Sequence, residues 1–287
     1  MHVGFFTMNT DHSLPVGRLA TELEARGFES LWVGEHSHIP VRRETAYPGG
    51  GDLPVAYSRM ADPFVSLMAA GAVTEKLKVG TGVCLILERD LIETAKTTAT
   101  LDRLTEGRLI MGIGCGWNVE ELRTHQPNLP FTSRYAAMRE RVAGLRSLWT
   151  DDESEYHGRH VDFGPLLSYP KPVQRPHPPV MLGNWGPVGI RHVIEYADQW
   201  GPVDSFLADP VAQLTEFRQR CADAGRDPAT LPITVFVTGQ PPINRLHDYR
   251  AAGVERIVLG TGHPAMHLED KALRFLDRYQ PAIAELA

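Results

Sequence analysis

The run Glu35-His36-Ser37-His38 packs more chemically useful side chains into four residues than any other stretch of this sequence. A carboxylate beside an imidazole can exchange protons near neutral pH, because histidine titrates there and a neighbouring acid tunes it. The structural alternative is that Glu35 and His36 only hydrogen-bond loop backbone. His36 and His38 also stand at the spacing of a metal pair, but a catalytic zinc needs three protein ligands and an open position. Cys115, Asn184, Val203 and Thr238 stand at other strand ends, and only His263 could add an imidazole. No metal is expected.

Three glycine-rich segments follow. Gly80-Thr81-Gly82-Val83-Cys84 lies in an otherwise apolar strand, where glycines mark a bulge, a barrel-corner bend, or close approach of a ligand. Gly112-Ile113-Gly114-Cys115-Gly116-Trp117-Asn118 has glycine spacing like that of a dinucleotide fingerprint. It lacks the full G-x-G-x-x-G at the start of a βαβ unit. What remains is a glycine-lined strand end leading into a helix around Asn118, and helix N-termini attract anions. Gly183-Asn184-Trp185-Gly186-Pro187 is a third small-residue turn whose backbone N–H groups would suit a phosphate. Three such turns in succession point to one elongated, phosphorylated ligand.

These residues need elements to position them. Eight short apolar runs recur at Val3 to Thr7, Ser30 to Gly34, Leu77 to Leu87, Arg108 to Ile113, Val180 to Gly183, Gln199 to Val203, Ile233 to Thr238 and Arg256 to Gly260. Several are apolar almost throughout, as strands buried on both faces are. Helical periodicity fills the gaps: Leu19, Leu23 and Arg26 lead to Gly27, and Leu91 to Leu104 is closed by Gly107. Tyr135 to Trp149 is the longest amphipathic stretch, Val188 to Tyr196 follows the third glycine turn, and Pro210 to Ala224 starts after Asp209 and stops at Gly225. Alternating strands and helices predict an α/β chain, a (β/α)8 TIM barrel forming one domain over 1–287, with a doubly wound open sheet as the competing topology. Long connections at Ile39 to Asp62, after strand 2, and at Thr150 to Pro179, after strand 4, interrupt the alternation. Loops after barrel strands build active sites, so the first is expected to be a lid; the second could be an excursion packed on the barrel.

Composition narrows the partners. The 287 residues carry 35 Asp+Glu against 29 Lys+Arg, a net charge of -6, with no basic run longer than Arg42-Arg43, which argues against nucleic acid. The start of the chain lacks a signal-peptide pattern and no uninterrupted run of 18 apolar residues occurs, so a cytoplasmic protein without a membrane partner is expected. Cys84, Cys115 and Cys221 are scattered and odd in number, which argues against a disulfide framework or a thiolate zinc site.

Taken together, the chain resembles the luciferase-like monooxygenase superfamily, and especially its coenzyme F420-dependent oxidoreductase branch. The resemblance rests on Glu29 to His36, Leu77 to Val83, Ala99 to Leu104 with Gly107-Arg108, Gly112 to Trp117, and Tyr169 to Gln174, in that order along nearly the whole chain. It implies a flavin-type ring resting on strand 3, over a bulge that would hold a non-proline cis peptide at Gly82-Val83, beside Thr81. It also implies cofactor contacts at Cys115, Gly116, Trp117 and Asn118, and a phosphate turn at Gly183, Asn184, Trp185 and Gly186. Asn184-Trp185 departs from the glycine or small residue common in relatives. Glu35 and His36 would be the catalytic acid and imidazole. Thr7, Met8 and His38 would line the substrate side with Trp185 and the Ile39 to Asp62 loop. The implied activity is hydride transfer between coenzyme F420 and a small-molecule substrate, in a homodimer. FMN-dependent monooxygenation, or a non-catalytic flavin-binding role, are the alternatives.

Overall fold

The computed structural model describes residues 1–260 and 269–286, so His263 lies outside the described residues. Eight parallel strands form the central sheet: β1 (His2–Thr7), β2 (Ser30–Val33), β3 (Lys78–Thr81), β4 (Leu109–Gly114), β5 (Val180–Leu182), β6 (Gln199–Trp200), β7 (Thr234–Thr238) and β8 (Arg256–Gly260). Each pairs with its sequence neighbour, and β8 pairs with β1 in register His2 to Arg256. Parallel bridges Trp200 to Ile233 and Val203 to Phe236 join β6 to β7, so the sheet closes and the open-sheet topology is excluded.

The helices are α1 (Val16–Ala25), α2 (Pro63–Gly71), α3 (Leu91–Leu104), α4 (Val119–His125), α5 (Arg134–Thr150), α6 (Gly186–Tyr196), α7 (Pro210–Asp223), α8 (Ile243–Ala251) and α9 (Glu269–Leu286). Side-chain caps begin several of them. Asp62 accepts from Phe64 N–H and Val65 N–H, and Asp90 from Glu93 N–H, which satisfies N–H groups with no partner inside the helix. One apolar layer lies between strands and helices, and includes Leu31, Val79, Met111, Leu145 and Trp149. Inside the barrel Trp32, Ile110, Met181, Phe236 and Val258 fill the centre, so the barrel is plugged by side chains below its mouth.

One expectation needs correction and another gains detail. The third strand does not run unbroken from Leu77 to Leu87: Lys78–Thr81 is followed by a cis Gly82-Val83 peptide, a short pairing at Cys84–Leu85, and a 3-10 turn at Ile86–Glu88. The second long connection is not featureless, because Ser154–His157 and Asp162–Leu166 pair as an antiparallel hairpin. The hairpin is half exposed and its alternation is short, which hid it within a Pro- and Gly-rich stretch.

Candidate active site

The strand ends surround a cavity of about 310 Å³, a size at the low end of small-molecule sites, which run roughly 300–1,000 Å³. Phe6 and Met8 reach it from β1, Gly34, Glu35 and His36 from β2, and Gly82 and Val83 from the break after β3. Gly114 to Trp117 come from β4, and Gly183 to Trp185 from β5. Gly82, Gly116 and Gly183 therefore share one cleft, as the sequence reading required.

The break after β3 is what the neighbouring glycines accommodate. Gly82 N–H donates to Val33 O at 2.7 Å, tying the turn back to β2. A Cβ added at Gly114 would lie 2.6 Å from Val83 Cγ2, and one at Gly183 would lie 2.8 Å from Val83 Cγ1. Val83 thus sits in a notch that only glycine leaves open on both flanking strands. Gly114 and Gly183 serve the packing of Val83 as well as lining the cavity.

Glu35 and His36, adjacent in sequence, have different partners. Glu35 is buried and both of its oxygens are engaged: Leu85 N–H donates to one at 2.7 Å and Arg89 Nε to the other at 2.5 Å. Arg89 also donates to Asp62 Oδ2 at 2.6 Å, so Glu35 and Arg89 together tie the strand-3 break to the foot of the lid. The His36 ring faces the cavity, and its Nδ1 lies 2.7 Å from Oε2 of the buried Glu121, on α4. This arrangement orients the imidazole and leaves Nε2 as the nitrogen available to a ligand.

The connection from Ile39 to Asp62 folds over the mouth. Its 3-10 turn, Val55–Arg59, sets the Tyr57 ring 5.1 Å from the His36 ring, with Trp117 at 5.8 Å from His36 on another side. Tyr47 stacks edge-on against both Tyr57 and Trp117. Burial, then the hydrogen bond to Tyr47, push the Tyr57 phenol up from its ordinary value, so it stays neutral. The lid is anchored where Glu120 accepts from Glu44 N–H and Thr45 N–H, and where Asn9 O accepts from Ala61 N–H.

At the opposite wall, Arg134 and Tyr135 start α5 beside Cys115 and Asn184. Among the described residues, Arg134 Nε and Asn184 Nδ2 are buried donors with no hydrogen-bond partner. Arg134 also donates through Nη1 to Phe131 O at 3.0 Å, so on this wall Nε and the Asn184 amide are nitrogens left to donate to a ligand. Burial raises the Cys115 thiol above its ordinary value even though Arg134 opposes the shift, which keeps it a neutral wall residue.

Not every expected residue lines the cavity. Thr81 is fully buried and its hydroxyl donates to Gly112 O at 2.6 Å. Asn118 turns inward to cap α4, accepting from Glu120 N–H and Glu121 N–H, so the anion-attracting helix end foreseen there is closed by its own side chain. Thr7 Oγ1 accepts from Asn9 N–H, and Gly186 opens α6 with a positive φ of 73°. His38 lies outside the lining, with Nδ1 2.9 Å from Ser37 Oγ and its ring 5.3 Å from that of His125. Arg89, Glu121, Arg134 and Tyr135 were not foreseen, while Tyr57 and Met60 come from the Ile39 to Asp62 loop expected there. Only Glu121 carried a signal, standing three residues after the cap Asn118, and that spacing reads as capping and not as chemistry.

Comparison with known proteins matches this geometry. Residues 1–272 match the family described as luciferase-like monooxygenase. An uncharacterized protein of Mycobacterium tuberculosis is 38% identical over 266 residues, covering 91% of this chain and 92% of the relative. An F420-dependent glucose-6-phosphate dehydrogenase of Amycolatopsis mediterranei is 30% identical, covering 66% of this chain and 51% of that protein. An FMNH(2)-dependent dimethylsulfone monooxygenase of Pseudomonas putida is 36% identical over a shorter stretch, covering 54% of this chain and 42% of that protein. Among solved structures, an F420-dependent secondary alcohol dehydrogenase in complex with an F420-acetone adduct superposes with a TM-score of 0.77 at 18% identity, covering 100% of this chain and 99% of that one. Monooxygenase RslO1 from Streptomyces bottropensis gives a TM-score of 0.77 at 18% identity, covering 99% of both chains. At such identity these two likenesses speak for the barrel alone. No helix among the described residues is long and apolar enough to cross a membrane. From the match along most of its length, and from a barrel whose strand ends converge on one cleft, the chain belongs to the luciferase-like monooxygenase family.

Proposed function

We propose that this chain is a single-domain oxidoreductase that uses coenzyme F420 to transfer hydride to or from a small, largely apolar substrate. The observation that carries this reading is the His36 imidazole on the cavity wall, backed by the buried Glu121 at 2.7 Å. Hydride addition to an unsaturated acceptor such as a carbonyl builds negative charge on oxygen, and a proton donor at that point lowers the barrier.

The residues present fit a flat ring with an acidic tail. Gly82 and Val83 offer a surface with little side chain, and the unpartnered Arg134 and Asn184 nitrogens suit an anionic group at the other end. When bound, the coenzyme supplies the hydride from its central ring carbon. His36 Nε2 holds the proton that reaches the substrate. Glu121 keeps the ring oriented through Nδ1. Glu35, on the cavity wall with both oxygens engaged by Leu85 and Arg89, positions the strand-3 break. Tyr57, Met60 and Trp117 cover the mouth and exclude water.

FMN-dependent monooxygenation is the second reading, favoured by the 36% identity with an FMNH(2)-dependent relative. Anaerobic and aerobic assays separate the two. The F420 reading expects turnover that is unchanged without oxygen and no oxygen uptake. Oxygen consumption with reduced FMN, and no turnover with F420, would overturn it.

A further inference from the structure

Behind His36 three carboxylates converge out of reach of solvent. The side chains of Glu35, Glu88 and Glu121 are 5%, 4% and 1% exposed. Glu88 ends the 3-10 turn after the strand-3 break, which packs against α4, the helix that carries Glu121. The single guanidinium there, Arg89, is engaged by Glu35 and Asp62. Arg141, reaching in from α5, donates to the carbonyls of Ile86 and Arg89 and not to a carboxylate. His125 Nε2, also on α4, stands 3.9 Å from Glu88 Oε2 and 2.8 Å from Ser37 Oγ, with His38 behind it. Cys84, fully buried beside Glu35, brings no charge, because burial raises its thiol.

The hydrogen-bond inventory is incomplete at one place. Among the described residues Glu88 Oε2 and Glu121 Oε1 are both buried without a donor. Two buried carboxylates that each hold one oxygen without a donor are satisfied together if one of them carries a proton between them, since a protonated acid donates where a carboxylate cannot.

We propose that Glu88 is a positioning residue that holds a proton shared with Glu121, so that Glu121 presents a single negative charge to His36 and fixes its imidazole as the proton donor facing the cavity. The inference rests on the role given to His36 above. Burial, followed by the charges of Glu121 and Glu35, pushes the Glu88 carboxyl up to about 9, in keeping with a proton retained at neutral pH. Above that pH a second negative charge appears beside Glu121. It strengthens the negative field that Glu121 places on the His36 ring.

The test uses apoprotein, so that its outcome does not depend on any coenzyme binding. Infrared spectra in D2O at neutral pH should show a protonated-carboxyl band that disappears as pH rises through about 9 and is missing from Glu88→Gln. The His36 ring signals in NMR should show a matching alkaline inflection in the wild type that Glu88→Gln lacks. Absence of the band from wild type, or a band or inflection that persists in Glu88→Gln, overturns the proposal. With coenzyme and substrate present, the kcat profile of the wild type should carry an inflection near pH 9 that Glu88→Gln lacks, separate from any limb that His36 itself contributes. Failure of coenzyme titration with these spectra intact would sink the F420 reading and leave the shared proton standing.

Discussion

His36 and Glu35 show how far two adjacent residues can diverge in role. One presents an imidazole to the cavity with Glu121 behind it, and the other has both oxygens occupied by Arg89 and Leu85. His36→Ala is therefore expected to lower kcat by about 10²- to 10⁴-fold, the range for loss of a general acid. Coenzyme affinity, measured by fluorescence, should stay nearly unchanged in the same variant. An equal loss of affinity and turnover would make His36 a binding residue instead. That Glu35 and His36 both reach the mouth was legible because they follow a strand end in a predictable fold. Their division of labour was not, because Arg89 lies 54 residues from Glu35 and Glu121 lies 85 from His36. Partners brought together over such separations leave no local spacing to read.

Among the elements, the strand-3 break depends on its neighbours more than on its own sequence. Gly114→Ala places a Cβ against Val83, and overpacking of this kind costs about 1–3 kcal/mol. Urea unfolding should show that loss, and coenzyme affinity should fall with it, because displacing Val83 moves the ring's seat. Unaltered stability would show that Val83 shifts freely. Two glycines in an apolar run marked an irregularity there, and the family resemblance, not the spacing, pointed to the cis peptide at Gly82-Val83. That Gly114 and Gly183 make room for Val83 was not legible, because a glycine kept for a neighbouring strand and one kept for a ligand look alike in sequence.

At the other end of β2 and β8, Arg256 donates to both oxygens of Glu29, and Lys78 lies 2.9 Å from one of them. Burial alone would raise the Glu29 carboxyl, but Arg256 and Lys78 outweigh it and hold it down to about 2. A depressed carboxyl stabilises the folded state above its ordinary value of 4.5, and the contribution is lost as pH falls through about 2. The shift corresponds to about 3 kcal/mol. The stability gap between wild type and Glu29→Gln should therefore be largest near pH 7 and narrow as pH drops from about 5 toward 2. A gap that stays constant across that range would remove the ion pair as its cause.

For the whole molecule, the barrel was readable because strand and helix periods alternate eight times, and closure then follows from β8 returning beside β1. The lid was legible only as an unusually long connection. Its ring-bearing turn over His36 depends on tertiary contacts to Glu120 and Asn9 that no short-range rule supplies. If the cavity is the coenzyme site, saturation at 100 times Kd should stabilise the fold by about 2.7 kcal/mol, visible as a rise in Tm. Titration of the apoprotein with coenzyme F420, FMN and FAD, followed by fluorescence, is the most direct measurement. Coenzyme F420 is expected to bind with a Kd of about 1 μM or tighter, and FMN and FAD at least about tenfold more weakly. Tighter binding of FMN, or no binding of any of the three, would contradict a deazaflavin seated over Gly82 and Val83 beside His36.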